Sequence, residues 1–452
     1  MIERSGRGGK VTVGQIPPVG YKTFQYTPVD TLEKNESKNI AIETETKVVL
    51  ENRWVAIQIN RKSGAIISLY DKKGNKEWID SQSGIGFGEY LYDIYGKEDL
   101  LRFMKDYAYD LTDWYVNDFG KAGYPCIQGQ TYYATLGNIS IENGWDWGRV
   151  VITQHTHPES YEKYGNAQTI CMRITLKEDQ KGADICYTLH EKQETPFLEA
   201  GHFVFPLKTQ CPQYRLEKMG SVINPLTDIQ PKANTRLHSC DQWIDVQDGK
   251  LGIGFIPIDS PLVSIGEQGV LQYADSYDPQ QSTLYFNVFN NQWGTNFPQW
   301  MGGTYAFEFR IALHEGSWHE GGIWKSAAET RYPLTAIPME PEQTMNNVFS
   351  LFKKDLRGMK VLAFKPSDIR DGSYILRMQD LLGESRTIAL SFQNKFGEVI
   401  VCDLVEREME KLQLDGESTV AMPIKPFEIL TLKLVPLSPS HWGNGFQCVI
   451  SQ

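Results

Sequence analysis

Hydrophobic and polar residues alternate with a period of two along most of the chain. Within residues 54–59 every second side chain is valine or isoleucine, a turn follows at 61–64, and an apolar run returns at 65–69. Successive side chains on a strand point to opposite faces of a sheet, so this pattern predicts an antiparallel meander. Helical periodicity is scarce and is best at 98–107. Further candidate strands lie at 131–136, 149–154, 167–176, 183–189, 197–206, 251–257, 284–289 and 304–313, and because so many strands exceed one sheet they predict a two-layer sandwich.

The places where this pattern starts, breaks and ends divide the chain into four regions. Residues 1–43 hold two short candidate strands around a proline-bearing corner and a polar linker, and we expect them to pack on later sheets. Residues 44–330 form the large sandwich. After an irregular, proline-bearing stretch, six more alternating runs predict a small β-sandwich within 331–437, and 438–452 is a tail.

Charge and composition exclude several classes of partner. The chain has 45 Lys and Arg against 56 Asp and Glu, a net charge of −11, and no basic block, which argues against nucleic acid and anionic membrane surfaces. No stretch approaches the roughly 18 apolar residues of a membrane span. The polar N-terminus lacks the apolar core of a secretion signal, which predicts a cytoplasmic protein. Seven cysteines without a C-x-x-C pair favour neither a disulfide framework nor a structural zinc site.

The loop FNNQWGTNFPQW at residues 289–300 carries the strongest chemical signal. Side-chain amides such as that of Asn296 lie beside Trp293 and Trp300, and a sugar ring needs hydrogen-bonding groups next to flat apolar faces. A structural interpretation stays open, in which the tryptophans anchor the core and the asparagines hold the loop through local bonds to the backbone.

Acidic residues that could act on a glycosidic bond are present, but their spacing does not single out a pair. Sugar hydrolysis needs two carboxylates roughly 5 to 9.5 Å apart, a distance that sequence spacing does not reveal in a β fold. The eligible residues are Asp259, Glu267, Asp275 and Glu308.

Three other motifs resemble functional signatures, and each lacks a necessary part. His314-Glu315 with His319 is one residue too long for a zinc-protease motif and follows a predicted strand rather than a helix. His155 and His157 share a strand face, but no third ligand can be named. The glycine-rich run at 84–88 has no following helix or lysine, so we interpret it as a bend between strands. We expect no metal and no cofactor in this chain.

An ordered series of short motifs spans about residues 11 to 435. It includes IPPVGY at 16–21, NRWV at 52–55 and SGAIISLYDK at 63–72. It continues with FVFP at 203–206, WIDV at 243–246, DSPLV at 259–263, WGTNF at 293–297, KP at 365–366, ILR at 375–377, LVE at 404–406 and KPFEI at 425–429. Together these motifs resemble the C-terminal half of glycoside hydrolase family 38, the α-mannosidases.

The resemblance implies an all-β fold, with a large galactose-mutarotase-like antiparallel supersandwich followed by a smaller β-sandwich. In that family the chemistry resides in an N-terminal α/β barrel, which binds zinc through His and Asp and uses an aspartate nucleophile in a retaining mechanism. The resemblance starts at the exit of that barrel. No catalytic or zinc-binding residue is therefore transferred to this chain, and zinc is expected only in the catalytic domain.

Three functions follow as hypotheses. In the first, the chain is inactive alone and supports a separate catalytic polypeptide, contributing to binding of a mannose-containing glycan through Trp293, Asn296, Trp300 and Asp259. In the second it is a free-standing carbohydrate-binding protein. In the third it is a mutarotase-type sugar epimerase, which would need a general acid and base in one pocket, such as His202 with Glu267 or Glu308.

Overall fold

The structure is a computed structural model, and it describes residues 13–14, 16–24, 38–108, 127–293, 300–338, 347–416 and 418–437. These residues form two compact units. The larger unit takes the described residues within 34–219 and 223–332, and the smaller takes those within 1–33, 220–222 and 333–452. Each unit has a hydrophobic core of its own.

The described residues are mostly strands. In chain order the strands are β1 (Gly20–Lys22), β2 (Ala41–Glu43), β3 (Lys47–Glu51), β4 (Val55–Asn60), β5 (Ile66–Asp71), β6 (Lys76–Glu77), β7 (Glu89–Tyr95), β8 (Gln130–Tyr133), β9 (Thr135–Asn143), β10 (Trp147–His155), β11 (Thr169–Lys177), β12 (Gly182–Lys192), β13 (Leu198–Leu207), β14 (Pro212–Lys218), β15 (Ser221–Ile223), β16 (His238–Ser239), β17 (Ile244–Asp248), β18 (Leu251–Pro257), β19 (Leu262–Ile265), β20 (Ser282–Asn290), β21 (Gly303–Glu315), β22 (Val348–Ser350), β23 (Met359–Pro366), β24 (Tyr374–Asp380), β25 (Arg386–Ser391), β26 (Phe396–Cys402), β27 (Glu408–Leu412), β28 (Thr419–Ile424) and β29 (Ile429–Pro436). The helices are α1 (Lys97–Tyr107), α2 (Pro158–Tyr164) and α3 (Ile323–Arg331).

The larger unit is a sandwich of antiparallel sheets. Its nine-stranded sheet has the order β15-β14-β17-β18-β21-β12-β11-β10-β9, its six-stranded sheet has the order β16-β19-β20-β13-β7-β8, and β2 to β6 form a five-stranded sheet in sequence order. Aromatic side chains fill the space between the two larger sheets. Tyr187 of β12 stacks on Phe203 of β13 with ring centroids 3.7 Å apart, and Phe205 contacts Phe255 of β18 at 5.0 Å.

Strand β13 shows why the larger unit needs more than two layers. All ten of its residues are buried, so it is covered on both faces, unlike a strand with one solvated face. Phe203 and Phe205 enter the core between the sheets. Leu198 and Ala200 point the other way and pack with Phe103 and other residues of α1. The amphipathic helix α1 therefore covers the outer face of the six-stranded sheet at one end.

The smaller unit is a compact β-sandwich. A five-stranded sheet of order β23-β24-β29-β26-β27 packs on the β25-β28 pair, and residues such as Leu376, Leu390 and Leu432 are fully buried between them. Strand β1 from the N-terminal region pairs with β22.

The predicted all-β fold class is confirmed: a large antiparallel β-supersandwich precedes a smaller β-sandwich. The candidate helix at 98–107 corresponds to α1, and two helices were not predicted. Helix α2 has only seven residues, and α3 lies in the stretch read as irregular. Part of the N-terminal candidate strands, and the tail, lie outside the described residues. No helix in the described ranges is long and apolar enough to cross a membrane.

Candidate carbohydrate-binding site

The amides that begin the loop after β20 hold the backbone. Asn291 accepts a hydrogen bond from the Glu199 amide N–H (2.8 Å) and donates one to the Phe197 carbonyl (2.7 Å). Gln292 accepts from the Leu271 amide at 3.3 Å. Side-chain amides used in this way fix the path of a loop. These two amides are therefore structural groups, and sugar recognition by this loop depends on its later residues.

Trp293 packs on helix α1. Its indole contacts the ring of Phe103 at 6.0 Å and that of Tyr107 at 5.6 Å, both in edge-to-face geometry. Edge-to-face pairs of this kind contribute to packing. Trp293 is half-buried, so much of its ring serves to join the loop to the helix.

The other three predicted binding residues lie in different surroundings. The side chain of Trp300 is 49% exposed. Asn296 lies outside the described residues. Asp259 follows β18, is exposed, and accepts a hydrogen bond from the Glu308 amide of β21 at 3.1 Å. Of the predicted residues that the structure describes, Trp300 presents the largest free aromatic surface.

An open concavity of about 520 Å³ has one wall that begins two residues after Trp300 in the sequence. Its walls are residues 191–194, at the end of β12, and residues 302–304, at the start of β21. The pairing of β12 with β21 shifts register here, between Leu189 and Lys192. The backbone of Glu191 adopts a left-handed conformation (φ 56°), and its amide donates to the Thr304 hydroxyl at 3.3 Å. This irregular strand end, a β-bulge, re-aims the side chains that follow it.

A buried ion pair lies under this open concavity. The side chain of Lys192 is 1% exposed, and its ammonium lies 2.6 Å from the Glu199 carboxylate. The ammonium also donates to the carbonyl of Met301 at 3.2 Å. The Tyr92 hydroxyl donates to the second Glu199 oxygen at 2.6 Å, and burial together with the Glu199 charge raises the pKa of Tyr92 well above its usual value. The network fixes the backbone immediately after Trp300.

The open concavity has the chemistry of a shallow sugar site. Glu191, Gln193, Glu194 and Thr304 are exposed along it, and carboxylate, amide and hydroxyl groups can bond to sugar hydroxyls. Trp300 lies two residues before Gly302 in the wall and offers an apolar face. Sequence reasoning missed all four of these residues, although the polar run EKQE lies one residue after a predicted strand.

His202 is engaged inside the six-stranded sheet. Its Nδ1 lies 2.9 Å from the Asp93 carboxylate, and its Nε2 lies 3.4 Å from the Asn287 amide nitrogen. The side chain is fully buried. Glu267 forms an ion pair with Arg236 at 2.8 Å, and Glu308 belongs to the nine-stranded sheet. No substrate can contact His202 in this structure.

The histidines of the zinc-like motif have structural surroundings. The Nε2 atom of buried His314 lies 2.7 Å from the Asp245 carboxylate. The ring of His319 lies parallel to that of Trp324 at 6.3 Å. Burial raises the pKa of Asp245, while His314 acts in the opposite sense. In the described part of the chain no three His, Cys, Asp or Glu side chains are grouped so as to hold a metal ion.

Comparison with known proteins gives two family matches along the chain. Residues 358–432 match the family described as the glycosyl hydrolases family 38 C-terminal beta sandwich domain, and residues 26–184 match a domain of unknown function, DUF5054. A stretch of 142 residues is 25% identical to human alpha-mannosidase 2C1, which covers 31% of this chain and 14% of that protein.

Solved structures show the same architecture. An alpha-mannosidase from Enterococcus faecalis V583 aligns over 85% of this chain and 42% of its own, with a TM-score of 0.58 and 13% identity. A glycosyl hydrolase family 38 protein from Enterococcus faecalis aligns over 91% of this chain and 45% of its own, with a TM-score of 0.57 and 13% identity. The chain thus spans less than half the length of these three relatives.

The fold defines an antiparallel β-supersandwich protein with an added small sandwich. The predicted resemblance to the C-terminal β-sandwich half of glycoside hydrolase family 38 is confirmed, and the chain is related to the α-mannosidases of that family.

Proposed function

We propose that this chain is the non-catalytic β-rich part of an α-mannosidase-like glycoside hydrolase, which binds a mannose-containing glycan and supports a separate catalytic polypeptide. The observation that carries the proposal is the open concavity walled by residues 191–194 and 302–304, in a chain related to family 38. Trp300, Glu191, Gln193 and Glu194 are the proposed contacts. Trp293, Asp259 and Asn296 remain further candidate contacts of the glycan.

The shape of the open concavity suits several units of a glycan chain. Its lining residues, apart from Lys192, are exposed, so an extended ligand can enter and leave across the surface. Shallow polar sites with one aromatic face give modest affinity, because little of the ligand is removed from water. We therefore expect the binding of mannose oligosaccharides to be stronger than that of a single sugar at this site.

Exposed apolar side chains on the smaller unit support the part of the proposal that concerns a partner. Ile369 is 72% exposed, Leu404 60% and Val405 64%. Glu406 connects the two loops that carry these residues. Its carboxylate binds the Lys365 ammonium and accepts a hydrogen bond from the Asp368 amide. Contiguous exposed apolar groups of this kind mark protein–protein contacts, and we propose that a catalytic polypeptide covers them.

A free-standing carbohydrate-binding protein is the second candidate. It is favoured by the fact that every described residue of the open concavity belongs to the larger unit. Such a site needs no partner to be complete.

Calorimetric titration with an α-linked mannose oligosaccharide tests the glycan site. We expect Trp300→Ala to weaken binding about tenfold, which corresponds to about 1.4 kcal/mol. Trp145→Ala is the matched control, since Trp145 is 41% exposed between β9 and β10, and it should leave the affinity unchanged. Equal affinity in all three proteins would remove Trp300 from the site.

Reconstitution tests the partner. The chain is mixed with a separately produced family 38 catalytic barrel, and hydrolysis of an aryl α-mannoside is followed. We expect hydrolysis to rise on mixing, and Ile369→Asp with Val405→Asp to abolish most of that rise while leaving glycan binding intact. No rise on mixing would contradict the scaffold role and leave the second candidate, whereas turnover by this chain alone would contradict both.

A further inference from the structure

A second cavity, of about 410 Å³, lies within the larger unit, well separated in sequence from the loop of Trp300. We call it the Glu89 cavity. It is walled by five separate pieces of chain, which are residues 62–65, residues 86–89, residues 134–136, Gln154 and Met172. Its volume falls within the range of about 300–1,000 Å³ that small-molecule sites occupy.

Glycines bring the backbone to the edge of this cavity. A Cβ on Gly88, whose φ is +77°, would lie 2.7 Å from the Tyr187 hydroxyl, and a Cβ on Gly64 (φ +72°) would lie 2.9 Å from Leu136. Only glycine combines these φ values with such close approach. The glycine-rich run at 84–88 therefore shapes a wall of the Glu89 cavity, in addition to making the bend that its sequence predicts.

Polar side chains with unused hydrogen-bonding capacity line this cavity. One carboxylate oxygen of Glu89 accepts from the Gly86 amide at 2.6 Å, which leaves the other oxygen for a ligand. Within the described residues the side chains of Gln154 and Lys62 make no hydrogen bond. Gln154 is half-buried and Lys62 is exposed at the rim. Burial of the Glu89 carboxyl raises its pKa, with the Gly86 amide opposing that shift.

The rest of the wall is apolar. Phe87 and Met172 are buried, and Leu136, Ala65 and Ala134 are half-buried. A wall that combines an acceptor, an amide and aliphatic surface suits a ring that carries both hydroxyls and C–H faces. An anionic ligand would meet the Glu89 carboxylate and find one exposed lysine, so its binding is disfavoured.

We propose that the Glu89 cavity binds one neutral sugar ring, with the Glu89 carboxyl and the Gln154 amide as the groups that hold its hydroxyls. The choice of a sugar as the ligand class rests on the proposed function, whereas the position of the site is independent of Trp300. The cavity encloses its ligand more than the open concavity does, because only Lys62, Ser63 and Thr135 of its lining are exposed.

Titration of the full chain with methyl α-mannopyranoside, followed by ligand-observed NMR, tests this site. We expect saturable binding that Glu89→Gln and Gln154→Ala each weaken at least about fivefold. Gln154 is half-buried at the end of β10, so its truncation keeps the test available if Glu89→Gln impairs folding. Trp145→Ala is the control and should leave monosaccharide affinity unchanged, because Trp145 is 41% exposed and lines neither the Glu89 cavity nor the open concavity.

The outcomes separate this inference from the proposed function. Absence of saturable monosaccharide binding, weakening below fivefold in both cavity variants, or an equal loss caused by Trp145→Ala would overturn the Glu89 site. If the oligosaccharide still binds and still depends on Trp300, the proposed function survives that result. Monosaccharide binding that depends on Glu89 and Gln154, with no oligosaccharide binding at Trp300, would support the cavity and contradict the proposed glycan contacts.

Discussion

The open concavity and the Glu89 cavity are built in opposite ways. The open concavity consists of exposed polar side chains at the ends of β12 and β21, above a buried ion pair. The Glu89 cavity consists of glycine backbone and apolar side chains, with a single carboxyl inside it. The first depends on a charged network for its shape, and the second depends on close backbone packing.

This difference determines which ligand the open concavity and the Glu89 cavity can each select. An open polar surface recognises a repeated unit along a chain, because further units can extend past its rim. An enclosed cavity discriminates by size and by the pairing of each buried polar group, since a group left unpaired is costly. Substitutions that disrupt the open concavity or the Glu89 cavity one at a time therefore test this difference, from the largest expected effect to the smallest.

The largest effect is expected from Lys192→Met. Glu199 would lose the ammonium that lies 2.6 Å from its carboxylate, and removing one partner of a buried ion pair costs about 3–5 kcal/mol of unfolding free energy, measurable by urea denaturation. The open concavity should lose its oligosaccharide affinity, because the Met301 carbonyl loses its ammonium partner, while monosaccharide binding at Glu89 persists.

Two controls accompany that variant. Lys163→Met removes an exposed lysine that pairs with Glu159 on α2 at 3.4 Å, and surface pairs contribute about 0–1 kcal/mol. Lys192→Met with Glu199→Met should recover much of the stability, since neither charge stays buried. If Lys192→Met lowers the free energy of unfolding by no more than Lys163→Met does, the Lys192–Glu199 pair does not hold the loop that contains Trp300.

A smaller effect is expected from Glu191→Ala and Glu194→Ala. Each removes one acceptor from the open concavity, and a single hydrogen bond contributes about 0.5–1.5 kcal/mol. Calorimetry should show oligosaccharide affinity lowered by about two- to tenfold, with monosaccharide affinity unchanged. An equal loss of affinity for the oligosaccharide and for the monosaccharide would mean that the open concavity and the Glu89 cavity form one site.

The smallest effect is expected from Glu89→Gln on stability. Burial raises the pKa of Glu89, so between its unfolded and folded pKa values the folded protein holds a proton that the unfolded chain has lost. Stability from this group is therefore present below the unfolded pKa and falls as pH rises through the folded pKa. Glu89→Gln should be slightly more stable than the parent at pH 7, within about 1 kcal/mol, and this gain should vanish near pH 4. A clearly lower free energy of unfolding for Glu89→Gln than for the parent at pH 7 would assign Glu89 a structural role.

The sequence predicts the architecture well because the signal is local. Alternation in residues 54–59 gives β4, and a period near 3.6 gives α1 at Lys97–Tyr107. Helix α2 could not be predicted in this way, because the seven residues Pro158–Tyr164 are too few to show a period. The pairing of β1 with β22 could not be predicted either, because the two strands are more than 300 residues apart and a local sequence pattern does not show which strands pair.

The sites are less predictable for the same physical reason. Trp300 stands out as an aromatic residue among amides, yet the partners that form its concavity come from the end of β12, about a hundred residues earlier. The Glu89 cavity draws on five separate segments, and its acid differs from other glutamates only through burial. Lys192 resembles a surface lysine in sequence, and only the folded chain shows it enclosed with Glu199.

A crystal structure of the chain with an α-linked mannose oligosaccharide, at a concentration that saturates the calorimetric titration, tests the central claim most directly. The account predicts density for sugar rings along residues 191–194 and 302–304, with one ring against the Trp300 indole. Saturated crystals in which those residues are free of ligand and of lattice neighbours would contradict it.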